Sequence, residues 1–515
     1  MLLHEPFEFH AGSHAEYVMA RCEGQEWTYA QAQERSLRIA SALSELGLKQ
    51  GERMVTIMSN SLDLLLIIYA ASRIGAVCVP LNWRLAAREW IGMIDDADAR
   101  ILIADPQHGQ ILEEAGGLPP IAISTQAGMS GWLSLEEIVA CAAAHLPPLR
   151  TTADDAVLQL YTSGTTGKPK GAMINHRSLL SDISQTNFAV GDCIPGQRSL
   201  HVLPFFHIAG VMFALRAASA GETLIIHKTV DPSVIVQTLI EEEIAWTFIV
   251  PAIIQMLLKV PSVEEMKFPR LRHIMYGASP ISEHVLVKAM KTFGCGFIQG
   301  FGMTELSCAG TFLTEADHER ALADRPELLA SAGRALPGTQ IRVVDGEGAD
   351  CAPGEIGEIV IRGPQVFMGY WKLPEATKAT LRDGWLHSGD AGSIDDEGYL
   401  FIRDRLKDMI VSGGENVYPA EVEAVLNQHP KVAEVSVIGV PDEKWGETVM
   451  AVVVPEKGAE IGEAELDAHC RAALGGFKLP RRYSFVDALP RNASGKVLKR
   501  ELRAAYWEGH ARQVG

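Results

Sequence analysis

The stretch Tyr161-Thr162-Ser163-Gly164-Thr165-Thr166-Gly167-Lys168-Pro169-Lys170-Gly171 concentrates Ser and Thr hydroxyls, glycines and two lysines. Glycines let a backbone approach an anion closely, and exposed amides with Ser and Thr hydroxyls donate to phosphate oxygens. Lys168 and Lys170 add positive charge. Thr162, Ser163, Gly164, Thr165, Thr166, Gly167 and Lys168 are therefore candidate phosphate-binding residues. The segment is not a Walker loop. Only two residues separate Gly164 from Gly167, and Pro169 follows Lys168 where Ser or Thr would hold magnesium. A bland polar surface loop is the competing reading, and the density of donors speaks against it.

Other segments bring further chemistry. Pro204-Phe205-Phe206-His207-Ile208-Ala209-Gly210 sets one histidine in apolar company, ordinarily the setting of a satisfied core residue. Tyr276-Gly277-Ala278-Ser279-Pro280 would alone be a turn. In Gln299-Gly300-Phe301-Gly302-Met303-Thr304-Glu305, the Thr304 hydroxyl can bond phosphate. A lone Glu305 would be solvated surface. Hard divalent cations take carboxylate oxygens, which makes Glu305 a candidate metal ligand. His387-Ser388-Gly389-Asp390 offers a carboxylate that can accept from two ribose hydroxyls, though Asp after Gly also reads as a turn. Arg403-Asp404-Arg405-Leu406-Lys407-Asp408 is a charge-rich connector. A glycine-rich stretch, Ser412–Pro419, follows it, and Asn492-Ala493-Ser494-Gly495-Lys496-Val497 precedes the last helix.

Taken in order, these segments resemble the signature motifs of the adenylate-forming superfamily: acyl-CoA synthetases, peptide-synthetase adenylation domains and firefly luciferase. The resemblance spans nearly the whole chain. From Lys407 to Pro419 it is most similar in texture to bacterial fatty-acid–CoA ligases, and coumarate and ferulate ligases share much of the pattern. The resemblance implies that His207 packs beside the reacting carboxylate and that Gly277, Ala278 and Ser279 border the adenine. It implies that Gly300, Phe301, Gly302 and Met303 hold the nucleotide, with Phe301 stacking where relatives often carry Tyr. Asp390 takes the ribose, with Ser388 in place of the family's Thr, and Arg405 reaches ribose and phosphate. Gly413 and Gly414 border the pantetheine channel. Lys496 bridges carboxylate and α-phosphate as negative charge accumulates. The implied catalytic group is Lys496, Glu305, Thr304, His207 and Lys407. Phe206, His207, Ile208, Ala209, Val211, Met212, Leu306 and Ala309 line the implied acyl pocket, and their apolar character favours a hydrophobic chain or ring.

The implied reaction joins a carboxylate to ATP as acyl-AMP with release of pyrophosphate, then passes the acyl group to coenzyme A. ATP, Mg²⁺ and coenzyme A are the expected cofactor and co-substrates. A medium- or long-chain fatty acid is the expected acid. An aromatic acid, or a separate carrier protein as acceptor, is the alternative. No G-x-S-x-G elbow is present, and an electrostatic clamp needs none.

The elements that must position these residues alternate. Helical spacing runs from residue 30 to Gly47, then a strand Met54–Met58 and a helix Leu62–Ile74 ending at Gly75. Strands Ala245–Val250, His273–Tyr276 and Gly296–Gln299 alternate with helices Val234–Glu243, Ala252–Lys259 and Ser282–Phe293. That pattern predicts parallel sheets covered by helices, with ligands at the loops after the strands. Beyond Gly333, short strands (Ile341–Asp345, Gly357–Arg362, Tyr399–Arg403) predict a small β-rich region. The expected fold is α/β and multi-domain: a large N-terminal domain over 1–403, a hinge at 404–408 and a small mobile α+β domain over 409–515.

The chain of 515 residues is too long for one core. Its net charge of -18 argues against a general nucleic-acid binder. The N-terminus shows no signal-peptide pattern, and the longest apolar run, near Leu64–Ala71, is far short of a membrane span. Eight scattered cysteines without a CxxC pair fit reduced thiols and a cytoplasmic setting. A homodimer is the default oligomeric expectation.

Overall fold

A computed structural model describes residues 1–144, 151–162, 169–191, 193–413, 415–491 and 497–508. Its contacts divide the chain into two units. The first takes Met1–Pro280, Val287–Gln340 and Arg362–Leu386; the second takes Ile281–Leu286, Ile341–Ile361 and the residues from His387 onward.

In the first unit the described residues build two large sheets. The central strands of the nine-stranded sheet are Gly296–Phe301, His273–Gly277, Trp246–Ile249, Arg198–His201, Thr223–Ile226 and Val18–Cys22, in that spatial order and all parallel. Trp246–Ile249 and Thr223–Ile226 are buried at every position, as befits strands covered on both faces. Helices return the chain between strands. Pro232–Glu241 starts where Asp231 accepts from the Ser233 and Val234 amides, with Pro232 preset for the first turn. Leu62–Ile74, capped by Ser61 and closed by Gly75 at φ 68°, is buried along nearly its whole length. That helix has the limits its sequence predicts.

The predicted parallel sheets carry antiparallel strands at their margins. Gln25–Thr28 closes one edge antiparallel, and Thr311–Leu313 with Arg334–Ala335 closes the other. Tight connections such as Glu23-Gly24, both at positive φ, can only join antiparallel neighbours. In the eight-stranded sheet, Ala156–Thr162 runs parallel to Val77–Pro80, but Lys170–Asn175 then folds back antiparallel on it. Thr162 pairs with Lys170. Ala156–Thr162 and Lys170–Asn175 are thus the two arms of a hairpin.

The second unit is antiparallel in its first part. Trp385–Ile394 pairs with Leu400–Arg405, and Asp395-Asp396-Glu397-Gly398 forms the predicted turn between them. Its C-terminal part centres on the long hairpin Val432–Asp442 and Gly446–Pro455. Strand alternation sends Val437, Val449, Ala451 and Val453 to one face, where the helices Pro419–Leu426 and Glu463–Arg471 contribute Val422, Leu426, Leu466 and Cys470. Ile438, Val440, Met450 and Val452 go to the other face, under Leu502 and Tyr506 of the helix Lys499–Trp507.

Candidate functional site

Three sequence motifs of the first unit end up at the carboxyl ends of parallel strands of one sheet, where ligands of α/β sheets bind. Pro204–Gly210 follows Arg198–His201, Ala278 and Ser279 follow His273–Gly277, and Gly302–Glu305 follows Gly296–Phe301. Gly277 and Gly300 are register partners, and a Cβ on Gly277 would stand 2.2 Å from the Gly300 carbonyl oxygen. A Cβ on Gly302 would stand 1.7 Å from the Cys308 carbonyl oxygen. These two glycines are demanded by backbone approach, whatever else they do.

Glu305 departs from the bland expectation of a solvated glutamate. It lies in the single helical turn Thr304–Leu306 and is only 6% exposed. The Tyr370 hydroxyl donates to its Oε1 at 2.7 Å, and the Phe367 amide donates to its backbone oxygen at 2.9 Å. Its other carboxylate oxygen takes no hydrogen bond among the described residues. Those residues also contain no cluster of three His, Cys, Asp or Glu side chains able to cage a metal. One buried carboxylate with a free oxygen fits a magnesium ion that arrives with nucleotide phosphates rather than one held by protein alone. Thr304 and Phe301 are half-buried beside it in sequence.

His207 occupies the N-cap of the helix Ile208–Ser219, half-buried, its ring 4.6 Å from that of Phe206. Phe206, Ile208, Val211, Met212, Leu306 and Ala309 are buried, and Ala209 is half-buried. Ala209 borders a cavity of about 10 Å³ with His201, Leu203, Gly210, Phe213 and Phe248. Of the phosphate-loop stretch, Tyr161, Thr162, Pro169, Lys170 and Gly171 are described; Ser163, Gly164, Thr165, Thr166, Gly167 and Lys168 lie outside the described residues.

Sequence reasoning missed two residues here. Tyr370 is one. The other is Asp182 on the helix His176–Val190, fully buried, whose Oδ1 accepts from the Ala309 amide at 2.8 Å. Burial pushes its pKa up to about 8, the one hydrogen bond opposing. The sequence pattern carried no signal for either.

In the second unit, strand register sets Asp390 opposite Arg405, and the guanidinium Nε lies 3.3 Å from the carboxylate. Asp390 is 7% exposed while Arg405 is exposed. Ser388 Oγ donates to the Ile359 carbonyl at 2.7 Å and accepts from the Asp390 amide at 3.1 Å. The hydroxyl that Ser shares with Thr therefore holds the turn. Lys407 sits in the single turn Leu406–Asp408 between two strands, and burial, then Arg405, lowers its pKa. Asp404 accepts from the Ala420 amide at 2.8 Å, and burial raises its pKa against the pull of Lys499. Arg503 meets Asp408 at 2.8 Å and Lys499 meets Glu423 at 2.8 Å. Gly413 adopts φ 63°, and its amide donates to the Trp445 carbonyl at 2.9 Å. Gly414 and Lys496 lie outside the described residues.

Motif-bearing strand ends and a separate C-terminal α+β region are the features of an adenylate-forming enzyme, and the comparisons with known proteins agree. The AMP-binding enzyme family matches residues 7–371, and the AMP-binding enzyme C-terminal domain matches residues 421–496. The chain belongs to this family of AMP-forming acid–thiol ligases, enzymes that use ATP and a carboxylic acid. It is 39% identical to the fatty acid–[acyl-carrier-protein] ligase ScoC of Streptomyces coeruleorubidus, over 98% of this chain and 96% of that protein. It is 38% identical to the long-chain-fatty-acid–CoA ligase FadD13 of Mycobacterium tuberculosis, over 93% of each. Its fold is similar to that of ATP-bound MatB from Rhodopseudomonas palustris, with a TM-score of 0.88 and 32% identity over 99% of this chain and 100% of that one. Among the described residues no helix is long and apolar enough to cross a membrane.

Proposed function

We propose that this ligase activates a medium- or long-chain fatty acid and transfers the acyl group to coenzyme A. The observation that carries the substrate class is the burial of Phe206, Ile208, Val211, Met212, Leu306 and Ala309, a set without a cation to receive a second carboxylate. The similarity to two fatty-acid ligases supports it.

In this reading a carboxylate oxygen attacks the α-phosphorus and pyrophosphate leaves. The coenzyme A sulfur then attacks the acyl carbonyl and AMP leaves, taking the electron pair of the broken bond. Thr162–Lys168 and Thr304 hold phosphates, and Gly277, Ala278, Ser279 and Gly300–Met303 receive the adenine, with Phe301 as the stacking face. Asp390 and Arg405 hold the ribose. Magnesium, held on Glu305, supplies neutralisation of polyphosphate charge. His207 lies against the reacting carboxylate, and Lys496 stabilises the charge that develops during adenylation. The second step draws on Gly413 and Gly414 beside the pantetheine arm, after the region 409–515 turns on Lys407 relative to 1–403.

A second reading is favoured by the ScoC similarity: the acceptor is the phosphopantetheine of a carrier protein. The test measures pyrophosphate release over a panel of fatty, aromatic and dicarboxylic acids. Thioester formation is then followed with coenzyme A or with a loaded carrier as acceptor. Fastest turnover on a fatty acid with coenzyme A is expected. A best kcat/KM for malonate or an aromatic acid would sink the substrate class, and product only with the carrier would replace the acceptor.

A further inference from the structure

The segment Gln365–Trp371, which carries none of the motifs, joins the phosphate-loop hairpin to the loop that bears Glu305. Tyr370 pairs with Ala172 on the hairpin's outgoing strand, and the Trp371 amide donates to the Gly171 carbonyl at 2.8 Å. From the same segment, the Gln365 carbonyl accepts from Ser307 Oγ at 2.8 Å, and the Phe367 amide reaches the Glu305 carbonyl. Only one side chain reaches the Glu305 carboxylate itself among the described residues, the Tyr370 phenol at 2.7 Å. The Lys170 ammonium lies 5.0 Å from the same phenol ring, within cation–π range.

We propose that Tyr370 is a positioning residue that fixes the Glu305 carboxylate for a divalent cation; this rests on Glu305 being the metal ligand. A carboxylate has two oxygens. A short hydrogen bond to one sets the rotamer and aims the other, the way a second partner orients a ligating side chain. The phenol suits this task because it is neutral. A lysine or arginine in its place would neutralise Glu305 and compete with the cation. Because Tyr370 belongs to a strand paired with the hairpin that carries Lys170, the carboxylate is aimed from the same framework as the phosphate loop.

The test uses the full-length enzyme and Mn²⁺, with free metal read by electron paramagnetic resonance in the presence of a non-hydrolysable ATP analogue. Tyr370→Phe keeps the ring for Lys170 and removes only the hydroxyl. It is expected to weaken Mn²⁺ binding by about tenfold, a change of ~1.4 kcal/mol, and to raise KM for the metal–nucleotide with little change in KM for the acid. Glu305→Gln is expected to weaken Mn²⁺ binding further, and the double variant no more than Glu305→Gln alone, since the two act on one contact. Wild-type Mn²⁺ affinity in Tyr370→Phe, beside a weakened Glu305→Gln, overturns the role of Tyr370. Wild-type affinity in Glu305→Gln overturns the metal assignment and the proposal with it. Additive losses show that Tyr370 acts elsewhere.

Discussion

At the candidate site loops, the two units bury acidic side chains in opposite ways. In the first, Glu305 is met by a phenol and Asp182 by a backbone amide, both neutral donors. In the second, Asp390 faces Arg405, Asp408 faces Arg503 and Glu423 faces Lys499, with Asp404 close enough to raise the Lys499 pKa together with Glu423 against the cost of burial. A neutral donor fixes a carboxylate and leaves its charge uncompensated. A cation fixes it and cancels the charge. At Glu305 the first unit therefore leaves a carboxylate with no cationic partner among the described residues, whereas Asp390, Asp408 and Glu423 of the second each face a cation. That division suits an enzyme in which nucleotide and metal bind on the large region and the small one moves. A neutralised segment can change its surroundings without exposing or burying net charge.

The sharpest break would come from the one cation that the second region is proposed to offer outward. Lys496→Ala is expected to lower the adenylation rate by about 10²–10³-fold, the loss typical of a transition-state charge partner. Thioester formation from chemically made acyl-AMP should fall far less. Equal losses in the two half-reactions would mean that Lys496 is not spent on adenylation.

Next in size is the pivot. Lys407 lies in a single turn between Leu400–Arg405 and Ile410–Ser412, where a few dihedral changes could redirect everything downstream. Proline would lock φ and bias Leu406 away from helical geometry. Lys407→Pro is expected to spare adenylation and to slow thioester formation by roughly tenfold or more. Measured separately on folded protein, a uniform fall in both would remove the pivot and with it the idea of a neutral, mobile segment.

Asp182 sharpens the comparison through pH. Its folded pKa, raised to about 8, lies above the ordinary carboxylate value. The folded state then holds a proton that the unfolded state has released, so stability is lost as pH rises from about 4 toward 8. Asn keeps the oxygen that accepts from Ala309 and cannot ionise. Asp182→Asn should match wild type in thermal unfolding near pH 4 and exceed it increasingly up to pH 8, by at most a few kcal/mol. Parallel curves would show that a charge or solvent compensates Asp182 after all.

The difference in how acids are buried was not legible in the sequence, although a number of the elements were. Helix limits at Gly75 and Phe293 and the strands His273–Gly277 and Gly296–Phe301 at the site follow from local pattern, because caps, glycines and periodicity act within a few residues. The motif glycines were read through resemblance. Their physical reason, the closeness of Gly277 to Gly300 and of Gly302 to Cys308, needs the paired strands. Tyr370 and Glu305 are 65 positions apart, and Asp182 and Ala309 are 127 apart. No periodicity carries such a pairing. The hairpin around the phosphate loop was hidden for a related reason. A strand's partner depends on the rest of the sheet, and the local pattern named neither arm as a strand.

The smallest expected effect lies at Ser388, in the segment proposed to hold the ribose. Ser388 stands where Thr is usual, and its hydroxyl bonds both the Ile359 carbonyl and the Asp390 amide. Those bonds, rather than the methyl, hold Asp390 beside Arg405. Thr presents the same oxygen and favours the extended strand Trp385–Ile394 in which residue 388 lies. Ser388→Thr should therefore change stability by less than about 0.5 kcal/mol and leave KM for ATP within about twofold. Ser388→Ala removes both bonds, strands the Asp390 amide and should cost about 1–3 kcal/mol with a rise in KM for ATP. The pair of variants separates the oxygen from the methyl. If Thr disturbs ATP binding as much as Ala does, the hydroxyl is not what positions Asp390, and the ion pair with Arg405 must hold it unaided.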